Sequence, residues 1–355
     1  MGDVRPGERR RERLWFAVLV AVFAAVFLGS FTLGRYAISL GDLIKILANR
    51  ILIFVGGIVG APLGLERTWS MTAETITMNV RLPRVAAAAV IGAALSTAGA
   101  SYQGMFRNPM VSPDILGAST GAGFGAALGI LLGFGYVGIT AASFGFGLAA
   151  VFLAYLVSRV SRLSETLALV LAGIMVSSLF QAGTSFIKLV ADTQEQLPAI
   201  TYWLMGSLAS IRGPDALFVS LLVLVGLVPL FLLRWRINLL TVSEDEARSL
   251  GVNTRRLRFV VIFCATLITA AAVSVSGIIG WVGLVIPHFC RLIFGYDYRR
   301  VIPASILLGG SFLIVVDDLA RTVTTAEIPL GVLTAFVGAP VFVWLILKGG
   351  TARED

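Results

Sequence analysis

The sequence predicts an all-α polytopic membrane protein with about ten transmembrane helices per protomer, and three observations predict it. Of 355 residues, 57% are hydrophobic and 14% charged, which leaves too little polar surface to clothe a soluble globule of this size. The apolar residues fall in runs of about 20, the length at which a helix crosses a bilayer core. Glycines and prolines interrupt those runs, and such residues persist in a membrane where neighbouring helices pack closely and satisfy the freed backbone.

Along the chain the runs place spans near 14–33, 84–106, 114–133, 137–158, 165–188, 214–234, 257–276, 278–294, 302–320 and 329–347, within a single transmembrane domain over 1–355. The run Trp15 to Leu33 follows a basic tail, 1–13. It is a full span in length and lacks a small-residue cleavage site, so a retained first helix is expected rather than a signal peptide. Between the first two spans lies a long segment, 34–83. Its piece Ile51 to Leu65 is apolar but short, with five glycines or prolines, and reads as interfacial or re-entrant. Gly99, Pro109 and Gly117 share their spacing with Gly277, Pro287 and Gly295, the pattern an inverted repeat would leave.

The net charge of +8 comes from arginines clustered between apolar runs without interleaved aromatics, which is loop bias and not a nucleic-acid surface. With the tail inside, 19 of the 28 basic residues fall in inside segments, so both termini are expected to be cytoplasmic. Cys264 and Cys290 both sit in apolar runs and support neither a disulfide framework nor a metal site.

Four groups of residues carry functional expectations. In the loop 235–257, Ser243 and Glu246 form a capping box and Gly251 a C-cap, so a helix of about two turns starts and stops there. Ser177, Gln181, Thr184, Ser185 and Lys188 share one helix face, which lines a path or bonds back to its own carbonyls. Arg81, Arg84 and Arg321 fall at the outer mouth, where arginine takes carboxylates bidentately. The plainer alternative pairs Arg321 with Asp317 and anchors Arg81 and Arg84 to headgroups. His288 is the only histidine; alone beside Pro287, it reads as structural rather than as a ligand, and no metal site is expected. No G-x-x-x-x-G-K-[ST] loop occurs, so the chain is not expected to be an enzyme or to hydrolyse ATP itself.

The stretch SGIIGWVGLVIPHFCR at 276–291 resembles the signature of permease subunits of type II ABC importers, which carry vitamin B12, haem and iron-siderophore chelates. MNVRLPR at 78–84, GAALSTAGASYQGMFRNPMVSPDILGASTGAGFGA at 92–126, YWLMGSL at 202–208, EDEARSLGV at 244–252, VVDDLAR at 315–321 and AEIPLGVLTAFVGAP at 326–340 are similar to further blocks of that family, in its order. The resemblance implies a homodimer in a bacterial or archaeal cytoplasmic membrane, two ATP-binding-cassette ATPase subunits and one extracytoplasmic binding protein. ATP and Mg would sit on the partner ATPase, with no cofactor on this chain.

It further implies that Arg81, Arg84 and Arg321 receive acidic residues of the binding protein, and that 243–251 is a coupling helix with Ala247 and Leu250 as its apolar contacts. Asn108, Met110, Thr166 and Leu167 match its inner gates, and the fifth and last spans its path. Its cargo would be an iron chelate or haem, with cobalamin and oxyanions open. The rivals are a secondary transporter driven by an ion gradient, which needs carboxylates near the bilayer midplane, and an intramembrane enzyme, which needs a clustered catalytic set.

Overall fold

A computed structural model describes residues 6–34, 36–242 and 244–350. Among the described residues there are fifteen α-helices, one π turn, one 3-10 turn and no strand. Seven helical stretches are long and apolar enough to cross a membrane. They are Arg10–Ser30 within α1 (Pro6–Ser30), the continuous Met71–Phe106, α6 (Tyr136–Val160), α7 (Glu165–Val190), α9 (Gly213–Leu232), α12 (Thr254–Ser276) and α14 (Tyr298–Thr322). Two shorter apolar helices, α5 (Ala118–Leu131) and α13 (Val282–Phe294), and the apolar α15 (Leu330–Gly350) complete the expected ten. The remaining helices are α2 (Leu40–Val59), α8 (Gln196–Met205), α10 (Arg234–Asn238) and α11 (Glu244–Ser249).

Met71–Phe106 consists of α3 (Met71–Thr75), the π turn Ile76–Arg81 and α4 (Leu82–Phe106), and it is the axis of the protomer: its apolar window is 89% buried, against 11% for α1. It can be central because its side chains are small. A Cβ on Gly99 would stand 1.8 Å from the carbonyl oxygen of Gly283, and one on Gly92 would stand 2.2 Å from that of Gly309. The crossings of α4 with α13 and α14 are therefore backbone against backbone. Inside lipid, where apolar side chains gain nothing by leaving hydrocarbon, this close approach supplies the dispersion that joins helices.

Three expectations need correction. The span near 278–294 is helical only from Val282: α12 stops at Gly277 (φ +70°), residues 277–281 are irregular, and α13 starts after Trp281, also at φ +70°. At 13 residues α13 is about 20 Å long, too short for the core alone. Its irregular lead is tolerated because it is covered by protein, with Ser207 N–H donating to Ser276 O at 2.8 Å.

The segment 34–83 holds a 20-residue helix, α2, in place of a piece at 51–65. Ser39 caps it, and Leu43, Ile46 and Gly56 face inward while Asp42, Lys45 and Arg50 keep it out of the set of spans. Lastly, the glycine–proline spacing does not fall on equivalent positions. Gly99 is mid-helix where Gly277 ends one, and Pro109 is in a loop where Pro287 is inside α13.

Ionic contacts sort to the two ends. One end carries Arg300–Glu12 at 2.7 Å and Arg258–Glu165 at 2.9 Å; the other carries Arg84–Asp317, Arg84–Glu327 and Arg321–Asp318. The first is the end to which the charge count assigns the termini.

Candidate functional site

At the end opposite the termini, the sequence RLPR forms a local distortion before it forms a site. Pro83 has no N–H, and its ring would crowd the carbonyl of Asn79; the helix widens to a π turn just ahead of it, with Leu82 N–H bonding to Thr77 O. The widened turn presents Arg81 and Arg84 to two different neighbours. Arg81 donates to the carbonyls of Phe31 and Tyr36 beyond the end of α1.

Arg84 is taken on both edges. Its Nε and Nη2 grip Asp317 of α14 at 2.9 Å each, and its Nη1 and Nη2 grip Glu327 at 2.9 Å each. Glu327 arrives from the link into α15, which is pinned by Ile328 N–H to Ala320 O at 3.1 Å and Leu330 N–H to Gly206 O at 2.9 Å.

Beside this pair, Asp318 accepts from Ser30 Oγ at 2.6 Å and from Arg321, and Arg321 also donates to the carbonyls of Ser30 (2.6 Å) and Leu33 (2.7 Å). Gly34 turns between the guanidinium groups at φ +133°, where a Cβ would lie 2.9 Å from Arg81 Nη2. A cavity of about 410 Å3 opens here, its lining including Tyr36, Val80, Arg81, Arg321 and Glu327. Three cations thus face three carboxylates, with Arg81 5% and Arg84 9% exposed.

The structure brings the three predicted arginines into one cluster. It also sorts the plainer alternative: Arg81 and Arg84 are too buried to be headgroup anchors, whereas Arg321 does pair with Asp317, at 3.9 Å, and more closely with Asp318. Glu327 escaped notice in the sequence because its partner lies 243 residues away.

The other end holds α11 and the residues expected from the sequence to form the inner gates. Ser243 lies outside the described residues. Helix α11 ends as expected: Gly251 is left-handed (φ +75°), and Val252 N–H reaches back to Ala247 O at 3.2 Å, closing a Schellman turn. Ala247 is a correction, since it is 1% exposed and already covered by its own chain, whereas Leu250 is 62% exposed. Glu246 is exposed and has a partner. Asn108 and Met110 are exposed in the loop after α4, with Asn108 Oδ1 accepting from Met110 N–H at 2.9 Å. Thr166 and Leu167 open α7 at the same end, Leu167 exposed.

Gln103, which the sequence did not single out, holds the loop that follows α4. Its Nε2 donates to Val111 O at 3.1 Å and to Gly283 O at 3.3 Å, and its Oε1 accepts from the buried Arg291. Gly283 O is the carbonyl that Pro287, four residues on, cannot satisfy. Pro287 therefore frees a group in α13 that α4 then uses. Asp297 joins α10 to α14 through Asn238 at 2.8 Å; burial raises its pKa, but bonds from Arg299 N–H, Asn238 and the Arg299 side chain outweigh that and hold it below the usual carboxylate range.

Residues 19–348 match the model of the FecCD transport family. The chain belongs to the FecCD transport family. The molybdate import system permease protein MolB of Haemophilus influenzae is 40% identical over 275 residues, 78% of this chain and 82% of that protein. The hemin transport system permease protein HmuU of Yersinia pestis is 34% identical over 354 residues, 98% and 99% of the two chains. Among solved structures, a chain described as an inward-facing metal-chelate type ABC transporter matches with TM-score 0.82 at 35% identity, covering 95% of this chain and 99% of that one. The fold of this FecCD-family chain is therefore that of a type II ABC importer permease.

In this FecCD-family chain the polar face of α7 has two characters. Thr184 and Ser185 donate to the carbonyls of Phe180 and Gln181, each at 2.9 Å, so the back-bonded alternative holds for both. Ser177 is half-buried, its hydroxyl close to Gly117; Gln181 is exposed and Lys188 half-buried. On α15, Gly338 receives the Trp281 ring, and Phe336 beside it is 75% exposed. His288 is half-buried, and no group of three metal-ligating side chains occurs among the described residues.

Proposed function

We propose that this chain is the membrane-spanning subunit of an ATP-driven importer that passes a metal chelate, an iron-siderophore or haem, from a binding protein across the cytoplasmic membrane by alternating access. Two copies meet around a path lined by α7 and α15. In the protomer these helices leave Leu179 and Phe186, and Phe336 and Val337, exposed, as surfaces awaiting a second copy would be. Two ATPase chains carrying ATP and Mg bind at the arginine-rich end, which is cytoplasmic and holds both termini. One binding protein docks on the cluster of Arg81, Arg84 and Arg321, and Asn108, Met110, Thr166 and Leu167 form the inner gates.

The observation that carries the reading is α11. A short helix capped at its C-terminus leaves Leu250 exposed and packs Ala247 inward, touching α12, so a displacement delivered to Leu250 is passed to a membrane-spanning helix. Cargo names among the relatives, molybdate and hemin at similar identity, support the class of metal-bearing cargo.

An ion-gradient transporter needs a carboxylate free to exchange a proton or cation within the membrane. Asp317 and Asp318 are instead held by arginines, and Asp114 by Ser119. The test is uptake of radiolabelled haem and ferric siderophore into proteoliposomes containing this chain with the ATPase and binding protein of its own system. Uptake requires ATP and survives Asp114→Asn, whose amide oxygen still accepts from Ser119. Uptake driven by a proton gradient without ATP refutes the reading.

A further inference from the structure

Between α6 and α12 an apolar groove of about 420 Å3 opens on the protomer surface, its walls including Phe152, Tyr155, Phe259 and Phe263. Phe152, Phe259 and Phe263 are each at least half exposed. At one end the rings of Tyr155 and Phe259 stand 5.7 Å apart, and the Arg159 guanidinium lies 5.8 Å over the Tyr155 ring. On the facing helix, Arg255 and Arg256 precede Phe259 by one turn.

The pair Arg258–Glu165 ties the start of α12 to the start of α7, just past the end of α6, so the three arginines share one end of the groove. Glu165 is taken by Arg258. Arg159, Arg255 and Arg256 are exposed and have no carboxylate partner among the described residues. The other nearby acids are on α11, which touches α12, and Glu246 there has a partner of its own.

In a bilayer the groove fills with acyl chain whatever the lipid, and the chain gains little over bulk hydrocarbon. Any selection must come from the headgroup. Unpaired arginines just beyond an aromatic-lined groove hold a phosphodiester through forked donors, and a negative net headgroup charge adds to the attraction.

We infer that this groove is a binding site for one anionic phospholipid, its acyl chain between α6 and α12 and its phosphate held by Arg159, Arg255 and Arg256. The site is separate from the path helices and independent of the transport reading. The competing occupant for the arginines is an acidic face of the ATPase chain.

The test is native mass spectrometry of the purified full-length chain, titrated with equimolar phosphatidylglycerol and phosphatidylcholine of identical acyl chains. About fivefold per arginine multiplies to about a hundredfold for three, so the first bound lipid is enriched for phosphatidylglycerol by about tenfold even where the three contributions fall well short of additive. Combined Arg159→Gln, Arg255→Gln and Arg256→Gln brings the ratio near parity, while Arg10→Gln with Arg13→Gln, at the same end but on α1, leaves it unchanged.

Raising the salt to about 1 M, where screening acts within about 3 Å, collapses the preference in the unmodified chain and needs no variant to fold. A preference that survives the triple substitution or the salt overturns the site. An unchanged preference together with lost ATPase association reassigns the arginines to a protein contact and also overturns it.

Discussion

Asp317 and Glu327 grip the same guanidinium with nearly the same distances, yet replacing each by its amide should have very different consequences. The Asp317 side chain is 1% exposed and that of Arg84 is 11% exposed, so Asp317→Asn removes the compensating charge from a buried cation. Breaking such a pair costs about 3–5 kcal/mol, and the amide oxygen that still accepts from Arg84 places the expected loss near about 3 kcal/mol.

The Glu327 side chain is 35% exposed. Water screens that pair and solvates the released arginine edge, so Glu327→Gln should cost only about 0–1 kcal/mol. Because both carboxylates act on one guanidinium, the double variant leaves Arg84 with no anion and should lose more than the two single losses combined. Reversible unfolding in mixed detergent and dodecyl sulfate micelles, followed by tryptophan fluorescence, gives the three free energies. Equal losses for the single variants, or strict additivity in the double, would show that burial does not divide the cluster as argued.

Three further outcomes follow from other contacts. Gly99→Ala forces a methyl onto the Gly283 carbonyl, and no side-chain rotation relieves a backbone clash. It should lose about 1–3 kcal/mol in the same assay, whereas Gly145→Ala, with open space around it, should be neutral or gain up to about 1 kcal/mol; similar values would refute the close crossing. Leu250→Asp should abolish co-purification of the ATPase chain while leaving stability unchanged, and Ala247→Asp should destabilise the chain itself; the reverse pattern would invert the assignment of the faces of α11. Because Asp297 titrates lower when folded than when unfolded, its stabilising contribution is full above the ordinary carboxylate pKa of about 3.9 and is lost as pH falls through the folded value. Unfolding of Asp297→Asn should accordingly show a shallower acid limb than the unmodified chain, and coincident limbs would count against that account.

The sequence by itself determined the class of the molecule, because hydropathy and run length are sums over residues and need no partners. The same is true of the C-cap at Gly251 and of the basic end, which follow from neighbouring residues and from charge counts. Tertiary structure decided everything that depends on which distant groups meet. Residues 278–294 read as one span set off from the span before it, but Gly277, packed against Trp203 and Gly206, and Trp281 both take positive φ, and the helix begins only at Val282. Arg84 stood out in the sequence as a cation at the outer mouth, but its partners within the chain, Asp317 and Glu327, lie more than 230 residues away and could not be read from its neighbours. A buried charge must find its counter-ion somewhere, and only the folded chain says where.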